Sequence, residues 1–144
     1  MKIMKFGGTS VGKPERMHQV SQLITRSDEP TIVVLSALSG TTNALVEISA
    51  ALASSNKHNA AEKISILEKQ YRSFIIDLLK EEALREKANK IISEHFEFLY
   101  ITQKISLSDA LNKDILAQGE LMSTKLFSCY LEQQNIEHAL LPAL

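Results

Sequence analysis

Hydrophobic and polar positions along this 144-residue chain change period several times, and each change marks an element. Lys2 to Phe6 (KIMKF) is a short apolar segment running into Gly7-Gly8, the pattern of a buried strand that ends in a tight loop. Pro14 and Glu15 open a helix whose apolar positions Met17, Val20, Leu23 and Ile24 follow the 3.6 period. Thr31 to Leu35 (TIVVL) is rich in β-branched residues and follows Pro30, which predicts a second strand. Beyond Ser36-Ala37-Leu38-Ser39-Gly40-Thr41-Thr42, a further helix carries Leu45, Ile48 and Leu52.

The middle of the chain reads differently. Ile64, Leu67, Tyr71, Phe74, Ile75 and Leu78 make one helical stripe, and Leu84, Ala88, Ile91, Ile92, His95 and Leu99 make another. Glu82, Arg85 and Glu86 fall where the first stripe would need apolar residues, so a helical hairpin turning near residues 80 to 83 is expected. A helical pattern then runs from about Leu111 to Gln134, and Ile136 to Leu141 reads as a third strand. Strand, loop, helix in quick succession implies an α/β domain with a parallel sheet, which binds ligands beyond the C-terminal ends of its strands. Three strands are too few for such a sheet, so the expectation is one incomplete domain with its ligand cleft half built.

Composition narrows the classes. Hydrophobic residues make up 44% and charged residues 23%, ordinary values for a globular chain. Sixteen Lys and Arg against seventeen Asp and Glu give a net charge of -1, which provides no electrostatic footprint for nucleic acid or an anionic membrane. The single cysteine, Cys129, cannot form an internal disulfide. With neither a signal-peptide pattern nor a long apolar run, a soluble, cytoplasmic protein is expected.

The glycines single out the candidate chemistry, since none lies between Gly40 and Gly119. In Lys5-Phe6-Gly7-Gly8-Thr9-Ser10, a strand leads into a helix through two glycines whose backbone N–H groups can face an anion. Lys5 adds a compact positive charge, and Thr9 and Ser10 add hydroxyl donors. The plain alternative is a Gly-Gly turn beside a surface lysine. A P-loop nucleotide switch competes, because Gly7, Gly12 and Lys13 spell most of G-x-x-x-x-G-K-[ST]. Pro14 stands where that motif needs a hydroxyl for Mg²⁺, and it forces Lys13 out of helical geometry. Ser36, Ser39, Thr41 and Thr42 could cap the next helix, a role compatible with ligand binding. Glu120 taken alone reads as a solvated helix residue, but Gly119 before it costs a helix about 1 kcal/mol and signals close packing or a helix end. His18, His58, His95 and His138 lack metal-ligand spacing, Cys129 reads as a packed small hydrophobe, and Lys80 to Lys90 as a solvated face of mixed charge. A non-catalytic α/β interaction fragment is the remaining alternative.

KFGGTSVG near the N-terminus, LSALSGTTN after the second strand and LAQGELMST in the last helix together resemble aspartate kinases of the amino acid kinase superfamily. The resemblance implies a three-layer parallel-sheet amino acid kinase fold, here incomplete, with residues 1–144 as the N-terminal part of the catalytic domain. The helical insertion at about 55–105 resembles the larger aspartokinase branch, which includes forms fused to homoserine dehydrogenase. The implied reaction is phosphorylation of the L-aspartate β-carboxylate by Mg-ATP, with Mg²⁺ carried by the nucleotide and no metal site on the chain. It opens lysine, threonine and methionine biosynthesis. By the same resemblance, Lys5 contacts the ATP phosphates and is the catalytic residue, with Gly7, Gly8, Thr9 and Ser10 completing the phosphate site. Ser36 and Thr42 hold aspartate, and Glu120 binds its ammonium group. The expected partners are L-aspartate and ATP, in a homo-oligomer, with no nucleic acid or membrane. Half a cleft cannot align two substrates, so these 144 residues alone are expected to be inactive.

Overall fold

A computed structural model describes residues 1–142; the last two positions of the expected 1–144 domain lie outside the described residues. The chain opens as β1 (Lys2–Phe6), a helical turn α1 (Gly8–Val11), α2 (Pro14–Ile24), β2 (Thr31–Leu35) and α3 (Thr41–Ala53). It continues through α4 (Lys57–Leu78), α5 (Glu82–Thr102) and α6 (Asp109–Gln133). Both strands stand where the patterning puts them, and they pair in parallel with Lys2 opposite Thr31 and Phe6 opposite Leu35. Parallel pairing follows from the crossover through α1 and α2. Pro14 occupies the first turn of α2, where its missing N–H costs nothing, and Lys13 before it is extended at φ -137°, ψ 153°.

The helices carry most of the core. α3 packs on α4, α4 on α5, α5 on α6 and α6 back on α3, so four helices close a ring, with α6 also against β2. Ile64, Leu67, Tyr71, Ile75 and Leu78 of α4 are buried, as are Leu84, Ala88, Ile92, His95 and Leu99 of α5. The two stripes therefore face each other across the expected hairpin. Phe96 adds a buried ring that meets Tyr71 edge-on at 5.8 Å between centroids. Asn56 caps α4 and Ser108 caps α6 through their side chains, which satisfies amides that have no partner within the helix. Cys129 is buried, and burial raises its thiol pKa, in keeping with a packing role.

Two local expectations need correction. Residues 136–141 form no strand. Asn135 ends α6 in the left-handed region at φ 56°, the Ile136 N–H turns back to the Leu131 carbonyl, and His138 bonds to the Ile136 carbonyl and the Ser128 hydroxyl. These local bonds satisfy groups that a third strand would need for its ladder. β1, expected as a buried strand, has no fully buried residue: Lys2, Ile3 and Lys5 are exposed and Met4 and Phe6 half-buried, and the tight loop after it closes as the helical turn Gly8 to Val11.

The sheet faces are unequal. Met4, Phe6, Val33 and Leu35 share one face, with Leu35 buried and Phe6 and Val33 packed on the core. Ile3, Ile32, Lys5 and Val34 share the other, where Ile3 is 67% and Val34 43% exposed.

Candidate active site

The strand ends bring the first two candidate loops together. Phe6 and Leu35 are register partners, so the chain leaves both strands at the same edge. The Ser36 N–H then donates to the Phe6 carbonyl at 3.0 Å, extending the ladder by one rung and fixing the second loop against the first.

Close approach explains three of the glycines. A Cβ at Gly8 would lie 3.0 Å from the Ala37 carbonyl oxygen, and one at Gly12 would lie 2.5 Å from the Ser39 Cβ. On the far side, a Cβ at Gly119 of α6 would lie 2.8 Å from the Ala37 Cβ and 3.1 Å from the Thr41 methyl. The 36–41 loop is thus held between α1 and α6, and a side chain at any of these glycines would push it away. Among the five glycines, only Gly40 has positive φ, at 83°, where the chain turns into α3.

The chemistry-bearing groups lie along these segments. Lys5 is exposed opposite Val34, and no ion pair engages it among the described residues. The Gly8 and Thr9 amides open α1 and have no intrahelical acceptor, whereas Ser10 N–H is taken by the Gly7 carbonyl at 2.9 Å. Ser36 is half-buried, Thr42 is exposed in the first turn of α3, and Glu120 is exposed on α6 beside Gly119. Among the described residues no hydrogen bond occupies the side chains of Ser36, Thr42 or Glu120.

Capping does not use the hydroxyls. Gly40 occupies the N-cap of α3, so no side chain is there to close the helix end. The Thr41 N–H goes to the Leu38 carbonyl and the Ala44 N–H to the Gly40 carbonyl. The hydroxyl of buried Thr41 instead meets the Tyr71 hydroxyl at 2.9 Å. Burial pushes the Tyr71 pKa far above its usual range, so the phenol stays protonated. Of the four hydroxyl residues, Thr41 is structural, while Ser36, Ser39 and Thr42 keep their side chains unengaged among the described residues.

Three supporting groups escaped the pattern of the sequence. Ser123, fully buried in α6, donates to the Ser36 carbonyl at 2.8 Å. It lies inside LAQGELMST, and that position in the motif was the only available signal. Tyr71 is one of several apolar-stripe residues, and nothing in its spacing announces a bond to Thr41. His95 bonds through Nδ1 to Gln118 Oε1 at 2.6 Å and through Nε2 to the Lys125 ammonium at 2.9 Å. Since Lys125 can only donate, Nε2 accepts and Nδ1–H donates. Burial lowers the His95 pKa and the Lys125 charge lowers it further, opposed by the Gln118 bond and Glu94.

Comparisons with known proteins add relatives to this geometry. The model of the amino acid kinase family matches residues 1–144. Lysine-sensitive aspartokinase 3 of Escherichia coli (strain K12) is 28% identical over 135 residues, covering 94% of this chain and 29% of its own length. Chloroplastic aspartokinase 1 of Arabidopsis thaliana is 34% identical over 142 residues, covering 94% of this chain and 24% of its own. A crystal structure of E. coli aspartokinase III in complex with aspartate and ADP, in the R-state, superimposes with a TM-score of 0.73 at 25% identity. That superposition covers 94% of this chain and 29% of the other. The chain therefore spans less than a third of the length of these relatives.

Proposed function

Since the chain belongs to the amino acid kinase family, we propose that it is the N-terminal part of the catalytic domain of an aspartate kinase, phosphorylating the side-chain carboxylate of L-aspartate with Mg-ATP. The observation that carries this reading is the convergence of glycines on one loop. Gly8 and Gly12 on one side and Gly119 on the other all face residues 37 to 41. The phosphate-type loop, the free hydroxyls of Ser36 and Thr42, and Glu120 are consequently parts of one packed unit.

The chemistry asks little of the protein beyond position and charge. The aspartate side chain, with an ordinary pKa of about 3.9, is ionised at neutral pH and attacks without a general base. Its oxygen forms a bond to the γ-phosphorus while the bond to the β,γ-bridging oxygen breaks, giving 4-phospho-L-aspartate and ADP. Lys5 offsets charge on the transferring group, and the amides of Gly7 and Gly8 with the hydroxyls of Thr9 and Ser10 hold phosphate oxygens. Ser36 and Thr42 donate hydrogen bonds to a substrate carboxylate, and Glu120 accepts from the ammonium group. This donor set of ammonium, amides and hydroxyls suits phosphate oxygens, in keeping with Mg²⁺ carried by the nucleotide, where it neutralises β,γ-phosphate charge. An acyl phosphate is a reactive product, and the proposal places the reaction at the entry to lysine, threonine and methionine biosynthesis in the cytoplasm.

The exposed face of Ile3, Ile32 and Val34 supports a three-layer sheet in the whole protein, because an apolar sheet face is stabilised by a covering layer. Assembly as a homo-oligomer belongs to the same proposal. The P-loop reading gains nothing, since Lys13 is extended before Pro14 and no hydroxyl occupies the position after it.

Glu120→Gln in the intact protein is the test. It keeps the shape and removes the charge that recognises an ammonium group, so the KM for aspartate should rise about tenfold or more, each ~1.4 kcal/mol being a factor of ten. The KM for ATP should stay nearly constant. A shift in the ATP constant alone would move Glu120 to the nucleotide site, and no shift in either constant would leave it a solvated helix residue.

A further inference from the structure

The aspartate site assembled above draws on two elements that are far apart in sequence, the 36–42 segment and α6, and their separation has to match one small substrate. We propose that Ser123 is the positioning residue that sets it. Its side chain is fully buried, and its hydroxyl lies 2.8 Å from the Ser36 carbonyl oxygen and 3.1 Å from the Glu120 carbonyl oxygen. The second contact is the one a helical serine commonly makes to its preceding turn, but a hydroxyl has one proton, and the nearer Ser36 oxygen takes it. The first joins positions 87 residues apart and is the one that matters.

Ser36 is held on both sides of its α-carbon. Its N–H donates to the Phe6 carbonyl at 3.0 Å and its own carbonyl accepts from Ser123. The end of β1, the backbone of Ser36 and the turn of α6 that carries Glu120 are thereby connected by two successive hydrogen bonds. Because the brace uses the Ser36 backbone, the Ser36 hydroxyl remains available to substrate. Gly119 lets α6 come close enough for the bond, since a Cβ there would press on Ala37, the residue after Ser36. With its hydroxyl against two backbone carbonyls, Ser123 acts through Ser36. It fixes where the Ser36 hydroxyl stands relative to Glu120; the link to the phosphate-binding segment runs instead through the Ser36 N–H and the Phe6 carbonyl, a bond that does not use the Ser123 hydroxyl.

The proposal rests on the aspartate kinase reading, and its test separates the two. Ser123→Ala, Ser123→Cys and Ser123→Thr are made in the intact protein, with unfolding curves and both Michaelis constants measured. Loss of the brace in Ser123→Ala should raise the KM for aspartate about fivefold to twentyfold and leave the KM for ATP within about twofold. Ser123→Cys retains bulk but offers only a weak donor, so it should reproduce that split and serves if the alanine variant fails to fold. Ser123→Thr keeps the hydroxyl and should restore the aspartate constant to within about twofold of the parent. An aspartate constant unchanged in both alanine and cysteine variants overturns the proposal, as does an equal rise in both Michaelis constants. Parent protein without aspartate-dependent activity overturns the functional reading and this proposal together.

Discussion

Gly119→Ala is the substitution for which geometry and helix propensity make opposite predictions. Gly119 lies inside α6, where exchanging glycine for alanine ordinarily stabilises a helix by about 1 kcal/mol. Here the new methyl would stand 2.8 Å from the Ala37 Cβ, 3.1 Å from the Thr41 methyl and 3.4 Å from Leu45 Cδ1. Carbon atoms in good contact lie roughly 3.5–4.0 Å apart, so the loop and helix must separate by about 0.5–1 Å. Ala37 has no flexible end that could swing aside, and the Ser36 peptide beside it is fixed at both N–H and carbonyl. Overpacking of this kind costs ~1–3 kcal/mol, which exceeds or cancels the propensity gain and leaves a net destabilisation of roughly 0–2 kcal/mol. The displacement falls on Ser36 and Thr42, so the KM for aspartate should rise as well. Urea unfolding of the intact protein, paired with steady-state kinetics, decides the question. A variant more stable by about 1 kcal/mol with unaltered aspartate kinetics would show that α6 does not press on this loop.

Two further outcomes follow from buried polar contacts. Tyr71→Phe leaves the Thr41 hydroxyl buried without its partner and should cost ~1–3 kcal/mol, much of it recovered when Thr41→Val removes the other partner; additive single-variant effects in a double-mutant cycle would contradict this. Because the folded-state pKa of His95 is lowered, the unfolded chain binds the extra proton more readily, so stability should be full above the ordinary histidine pKa of about 6.5 and decline as pH falls through the folded value. Chemical unfolding between pH 8 and pH 5 should show a shallower decline in His95→Gln than in the parent, and equal slopes would remove His95 as the cause.

Much of this fold was legible because burial imposes a period on each element. The stripes of α4 and α5 are apolar for the simple reason that one face of each is packed, whereas the run of β2 is apolar on both faces although only the Val33 and Leu35 face packs on the core. The supposed strand at 136–141 shows the limit of that logic. A short apolar run can satisfy its backbone locally, as the Ile136 and His138 bonds do, and no periodicity distinguishes the two cases. The glycines answer to two different demands. Positive φ applies at Gly40, whereas Gly8, Gly12 and Gly119 answer to a loop distant in sequence, which local pattern cannot reveal. Ser123 is the extreme case, since a buried helical serine with a partner 87 residues away looks like any other small residue until the chain is folded.

Lys5 and its glycine loop are proposed to serve phosphoryl transfer to aspartate. The most direct measurement is trapping of the acyl phosphate with hydroxylamine in the intact protein supplied with Mg-ATP, with and without L-aspartate, for the parent, Lys5→Ala and Lys13→Ala. Aspartate-dependent hydroxamate is expected from the parent, with a loss of about a hundredfold or more in Lys5→Ala and near-parental rates in Lys13→Ala. Absence of aspartate-dependent product from the parent, or activity that survives loss of Lys5 and disappears with loss of Lys13, would contradict that role.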